Sequence, residues 1–295
     1  MSDIASAGAE AARGRGDAQR WRSLRRLLRS TPFVAGLVIV AVMAVGAIAA
    51  PSLTPYNPIR MSPAERLQPP SAAHPFGTDQ LGRDVLARVL HGGRLSLPMG
   101  VTPIVVAAVL GLLLGLLAGF YGGWLDLAIM RLVDVWIAFP PILLAMAIVT
   151  VLGTGLTNIM IALGIAWIPY YARMVRGSVL EAKTRVYVDA ARALGGRDAR
   201  IVLRHVLPNV LTPIMVMSSM GVANAILAGA ALSFLGLGAQ APAPEWGTSL
   251  ADARQFMRLA WWIGFFPGLA IALTVLGANL MGDGIRDALD PKLKI

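Results

Sequence analysis

Three histidines, three lysines and the absence of cysteine limit what this chain could catalyse. His74, His91 and His205 stand apart, and none joins a His-Glu-x-x-His metal pattern, a serine nucleophile elbow or a carboxylate cluster. Each reads as a surface or hydrogen-bonded histidine rather than a general base or ligand. Lys183, Lys292 and Lys294 follow no Gly-x-x-x-x-Gly-Lys-[Ser/Thr] phosphate loop, so ATP hydrolysis by that route is not available to this chain. Without cysteine there is no disulfide framework, thiolate zinc site or thiol nucleophile. What remains is charge in unusual places. Tyr187 to Asn209, YVDAARALGGRDARIVLRHVLPN, is a polar, arginine-bearing interval lodged between hydrophobic runs. Arg131 and Asp134 lie inside another such run, three apart and able to pair on one helix face. An ionisable residue is costly within a membrane span, which makes these two candidates for a substrate pathway or gate.

The elements that must carry these residues follow from composition. The 295 residues are 56% hydrophobic and 14% charged, against about 25% charged in an ordinary soluble domain. The formal charge of +10 comes from basic residues lying mostly between apolar segments, a membrane pattern rather than a nucleic-acid footprint. Thr31 to Pro51 is apolar over about twenty residues, enough for a helix to cross a hydrocarbon core about 30 Å thick. Its long basic leader and its own length favour an uncleaved anchor over a signal peptide, although Ala47-Ile48-Ala49 resembles a cleavage site. The arginines of residues 1 to 31 suit anionic lipid headgroups.

A polar loop follows, ending where Val85, Leu86, Val89 and Leu90 recur at helical spacing, as in a short helix lying on the membrane surface. Pro98 to Phe120 is a second span, with Gly111, Gly115 and Gly119 four apart for close helix packing. Leu125 to Leu152 is a third, kinked by Pro140-Pro141. The fourth begins at Leu156 and is interrupted by Pro169; Val210 to Leu237 and Trp262 to Met281 are the fifth and sixth. With six spans and an inward N-terminus, 18 of the 26 Lys and Arg fall inside, seven outside, and Arg131 within a span. The positive-inside rule therefore places Tyr187 to Asn209 in the cytoplasm. There, Ser178 to Leu194 has helical periodicity, Gly195-Gly196 stops it, and Asp198 caps a second short helix running to Val206 before Pro208 opens the fifth span. Two short helices on a glycine elbow would fit a partner's cleft; a surface loop without a partner is the alternative.

Asp189-Ala190-Ala191, then Gly195, then Leu207-Pro208 resembles the EAA loop of ABC importer permeases, with Asp189 in place of the glutamate and His205 at the isoleucine position. His74 to Arg88 (HPFGTDQLGRDVLAR), Ser233 to Gly247 (SFLGLGAQAPAPEWG) and Phe266 to Lys294 resemble one branch, the C-type permease subunits of dipeptide and oligopeptide importers, over residues 31 to 295. The C-terminal run is most similar to dipeptide permeases, with glutathione permeases next.

The resemblance implies an all-α membrane protein of the type I ABC importer fold, with a five-helix core and one peripheral N-terminal helix. Its segments would be a tail at 1–31, a first span at 32–51 and an outer loop at 52–97. The core at 98–282 would hold spans at 98–120, 125–152, 156–175, 209–237 and 262–282. A cytoplasmic coupling loop at 176–208 and an outer loop at 238–261 would separate them, and a cytoplasmic tail would fill 283–295. Asp189, Ala190, Ala191, Gly195, Gly196, Leu207 and Pro208 would couple to ATPases.

The implied partners are a homologous permease subunit, two ABC ATPases, a periplasmic peptide-binding protein and membrane lipids, with no nucleic acid. No cofactor is expected in this chain, since ATP and Mg would sit in the ATPase subunits. The implied site of action is a bacterial inner membrane with both termini cytoplasmic. Dipeptides are the implied cargo, with glutathione, longer peptides, haem or nickel complexes as alternatives. A channel is the alternative from another class; conduction that persists without ATP hydrolysis would favour it.

Overall fold

The computed structural model describes residues 27–289. The arginine tail therefore lies outside the described residues apart from its last few positions, as does the end of the C-terminal tail. Among the described residues the regular structure is helical, apart from one isolated bridge between Thr78 and Asp84. Five helices are long and apolar enough to cross a membrane, and a bent pair makes a sixth crossing possible.

Helix α1, Thr31–Ile48, and the short α2, Ala50–Leu53, precede a polar segment at 54–84. Then come α3, Val85–Ser96, and α4, Pro98–Tyr121. Only Gly36 and Ala47 of α1 are buried, so this helix is peripheral to the rest. It leans on the last helix, α12, Trp262–Leu289, through glycines: a Cβ on Gly36 would lie 2.7 Å from the Met281 amide nitrogen. Helix α12 runs past Met281, so residues 283–289 continue the helix and do not form a separate tail.

The expected kink in the third span is a full break. Helix α5, Gly123–Ile137, and α6, Pro141–Leu152, meet at 91°. Pro140 takes an extended backbone (φ −55°, ψ 131°) and Pro141 restarts the helix in its first turn. A residue preceding proline is driven out of the helical region, so two consecutive prolines end one helix and seed another. Neither piece alone reaches the roughly 20 residues a span needs.

Pro169 has the opposite fate. Helix α7, Leu156–Lys183, runs straight through it and extends the fourth span well beyond the sequence-based end. The glycine stripe of α4 explains part of its support. A Cβ on Gly115 would lie 2.6 Å from the Ala172 carbonyl oxygen, and one on Gly119 would lie 2.8 Å from the Val179 Cβ. Gly111 meets Tyr171 in the same way. Lys183, at the foot of α7, donates to the Phe120 carbonyl (2.6 Å), capping α4 with a cation where its dipole is negative.

The amphipathic α3 does not lie on the membrane with its apolar face in lipid. Val85 and Val89 are buried in a core with Trp246, Trp262 and Ile263. Asp84 caps the helix by accepting from the Ala87 N–H (2.7 Å) and also receives His74 Nδ1 (2.9 Å). Trp246 belongs to α11, Trp246–Ala253, which follows α10, Leu207–Phe234. Its indole N–H donates to the Val89 carbonyl (2.8 Å). The polar segments around α3 and α11 are thus a packed cap in which Asp79, Arg83, Asp84, Arg88 and Glu245 are all buried.

Candidate functional site

The interval between α7 and α10 is built as a hard underside with an open top. Helix α8, Val186–Ala193, and α9, Asp198–Ile201, carry it. Val188, Ile201, Val206 and Val210 are buried in one cluster with Phe120, Val179 and Ala182, with Ala191 and Val202 packed against it. The opposite face is bare: Val186 is 83% and Leu194 88% exposed. Asp189, Ala190, Arg192 and Ala193 are exposed beside them. Val186 and Leu194, at the two ends of the short α8, are thus left uncovered by the rest of the chain.

The helix expected from Ser178 to Leu194 is broken at Thr184-Arg185. Thr184 turns its hydroxyl back to the Glu181 carbonyl (2.8 Å), and Arg185, extended at ψ 134°, pairs with the Glu181 carboxylate (2.6 Å). Such side-chain bonding to the backbone competes with helix propagation.

The glycine elbow is as anticipated, and its geometry is specific. Gly195 N–H donates to Arg192 O (2.9 Å) and Gly196 N–H to Ala191 O (3.0 Å), the paired bonds of a Schellman ending. Gly195 holds φ 77° with open space where a Cβ would be. Its requirement is therefore conformational. Gly196 is a steric case, since its Cβ would lie 2.7 Å from the Ala191 carbonyl oxygen.

Asp198 does not cap. It is the first residue of α9, Arg197 is the cap residue, and no side-chain capping bond forms. Nor is the second helix separate from the fifth span. Val202–Val206 is a π-helical turn leading straight into α10, with Leu207 N–H donating to Val202 O. Pro208 sits in the first turn of α10 and has no N–H to offer the turn before it, which leaves carbonyls there for wider bonding. Sequence reading passed over Asn209, whose amide donates to the Tyr187 hydroxyl (3.1 Å) and His205 O (2.6 Å), tying α8 to α10. Between them lies a cleft of about 380 Å³ lined by Ser178, Glu181, Arg185, Tyr187 and Asn209.

Arg131 and Asp134 do not pair with each other. Asp134 pairs with Arg173 of α7 (2.5 Å), and Asp126 takes both Nε and Nη2 of Arg176 (2.5 and 2.6 Å). The acids of α5 are thus matched across to arginines of α7, and Arg131 is left exposed. Neither Arg131 nor Asp134 lines the open groove of about 390 Å³ between α7 and α10. Ile104, Pro141, Trp167, Tyr170, Tyr171, Met217, Met220, Gly221 and Asn224 line it.

Among the described residues the chain is a bundle of long apolar helices with one broken pair and an exposed two-helix projection. A chain of the inward-facing MetNI methionine ABC transporter superposes with a TM-score of 0.56 at 20% identity, covering 69% of this chain and 96% of that one. The fold is that of type I ABC importer permeases. At the level of sequence, residues 111–295 match the binding-protein-dependent transport system inner membrane component. Residues 19–70 match the N-terminal transmembrane domain of oligopeptide transport permease C. The chain is 48% identical over 275 residues to the dipeptide transport system permease protein DppC of Alkalihalophilus pseudofirmus, covering 93% of this chain and 90% of that protein. It is 48% identical over 276 residues to the glutathione transport system permease protein GsiD of Pectobacterium atrosepticum, covering 93% and 92%. The chain belongs to the family of binding-protein-dependent transport system inner membrane components, and is a multi-pass membrane protein.

Proposed function

We propose that this chain is one of two homologous permease subunits of an ATP-driven importer of dipeptides or short peptides in a bacterial inner membrane. Its termini and the α8–α9 surface face the cytoplasm, two ABC ATPases dock there, and a periplasmic binding protein delivers cargo. The ATPases hold ATP and Mg; this chain carries neither. The observation that carries the reading is the pairing of an exposed aliphatic surface at Val186 and Leu194 with a buried underside fused to α10.

Asp189, Ala190 and Ala191 would present the docking helix, with Gly195 and Gly196 setting its exit, and Leu207 and Pro208 joining it to α10. Nucleotide-driven closure of the ATPases would displace this unit and alternate access to the pore. A partner shifts such an equilibrium only by its differential affinity for the two states, so the α8 contacts must differ between them. Of the two residues first placed on a substrate pathway, Asp134 acts instead through Arg173, the pair setting the angle of α5 against α7. Glutathione is the second cargo reading, favoured by the equal 48% identity to a glutathione permease.

The test is uptake into proteoliposomes holding the whole complex, with binding protein outside and ATP inside, for dipeptides and glutathione in parallel. Dipeptide uptake that stops when ATP hydrolysis is blocked, and falls when Leu194 is made Asp while assembly into the membrane is unchanged, is the expected result. Uptake persisting without hydrolysis would mean a channel.

A further inference from the structure

Asn224 lies ten residues before the end of α10 at Phe234, about 15 Å along the axis. That places it deep in the hydrocarbon layer. Its side chain is exposed on the surface of the chain and has no hydrogen-bond partner among the described residues. A carboxamide brings two donors and an acceptor, and hydrocarbon satisfies none of them. The exposed stripe of α4 shows what a lipid-compatible face looks like: Val101, Val105, Val109 and Leu113 are all aliphatic. The Asn224 face therefore does not look onto lipid.

What it looks onto is a groove that is open at the surface of the chain. Met217, Met220, Gly221 and Asn224 fall at helical spacing on one side of α10, and α7 opposes them with Trp167 and Tyr170. The volume, about 390 Å³, is that of a small-molecule site, and no charged side chain lines it. Resting on the reading of this chain as a peptide importer, the geometry points to this groove as a contact station on the peptide's path. The Asn224 carboxamide pairs there with a backbone amide of the passing peptide. Donor and acceptor on one side chain match the N–H and C=O that every peptide carries, so the contact is independent of cargo side chains. Trp167 and Tyr170 supply flat apolar surfaces, and the methionines adapt to different residues. A neutral lining also spares a zwitterion from being trapped by a fixed charge.

The natural absence of cysteine makes the test direct. In the assembled complex in proteoliposomes, Asn224→Cys and Leu113→Cys are each exposed to a membrane-impermeant cationic thiosulfonate, and modification of this chain is followed by mass. Asn224→Cys should react about tenfold faster or more, since only a wet path brings a cation to that depth. A dipeptide with its binding protein should slow that reaction. Equal or negligible rates at both positions, with and without ATP, overturn the proposal, as does fast labelling that cargo leaves untouched. Asn224→Ala should cut dipeptide uptake by about fivefold, the scale of one hydrogen bond, with ATPase stimulation retained and Asn224→Gln restoring part. If the wild-type complex moves no dipeptide, the importer reading fails by itself, and fast or slow labelling still says whether the groove is an aqueous path.

Discussion

The two ends of the molecule solve the problem of holding polar residues in opposite ways. At the end formed by residues 52–97 and 238–261, charges are buried and mutually satisfied. Asp79 receives Arg83 Nε (2.5 Å) and the backbone N–H groups of Leu81 and Arg83, and it faces Arg88 Nε at 3.7 Å. Arg83 reaches Asp252 and Arg88 reaches Ser249, both in the 238–261 segment. Glu245 accepts from Ser96, Gly247 and Thr248. Burial, reinforced by nearby Arg83 and opposed by Asp79, lowers the Arg88 guanidinium to about 10, which still leaves it a cation at neutral pH.

At the opposite end, the charges of α8 and α9 are exposed, and the burial is apolar and one-sided. A network closed on itself fixes a shape, whereas a surface left open can be completed by another protein. The cap therefore reads as a static clamp between α3 and α11, and the α8–α9 projection as the part proposed above to receive a partner.

Substitutions should separate the two ends, and the strongest lies in the cap. Asp79→Ala leaves Arg83 and Arg88 buried without their shared carboxylate and should cost about 3–5 kcal/mol, seen as a lower unfolding temperature in detergent and poor recovery of the complex. A stable Asp79→Ala protein would mean the clamp does not hold the cap.

Gly195→Ala should cost about 1–2 kcal/mol, because the left-handed φ and not space is the constraint. Gly195→Asn should recover most of that, since Asn tolerates this conformation, while Gly195→Trp should also obstruct the docking face and abolish binding-protein-stimulated ATPase. Equal uptake by all three would remove the elbow from coupling. Asn209→Ala should lose about 1 kcal/mol or less, being exposed, yet loosen α8 and slow uptake. Leu194→Ala should change stability by no more than about 0.5 kcal/mol and still weaken ATPase association in pull-down. An effect on folding larger than that would make Leu194 part of the core after all.

How far the sequence carried each region depended on the separation of the partners. The Gly111, Gly115, Gly119 stripe and the Gly195-Gly196 stop are local signals, and both emerge in place. The clamp was not visible because Arg88 meets Ser249 across 161 positions, and isolated charges in a proline-rich stretch look like a solvated loop. Asp134 looked nearest to Arg131, but a backbone break between α5 and α6 lays α5 beside α7, and Arg173, 39 positions on, takes it instead. Asn224 is a single polar letter within an apolar run. Only the neighbouring face of α7 gives it meaning.

The glycine seam between α4 and α7 constrains how the protein can move. With Gly115 and Gly119 in contact with Ala172 and Val179, and Lys183 fastened to the end of α4, any separation of the two helices would open a void that neither side chains nor lipid tails could fill quickly. Close packing of this kind makes α4 and α7 one stiff unit, with α8 leading off its foot beyond Lys183.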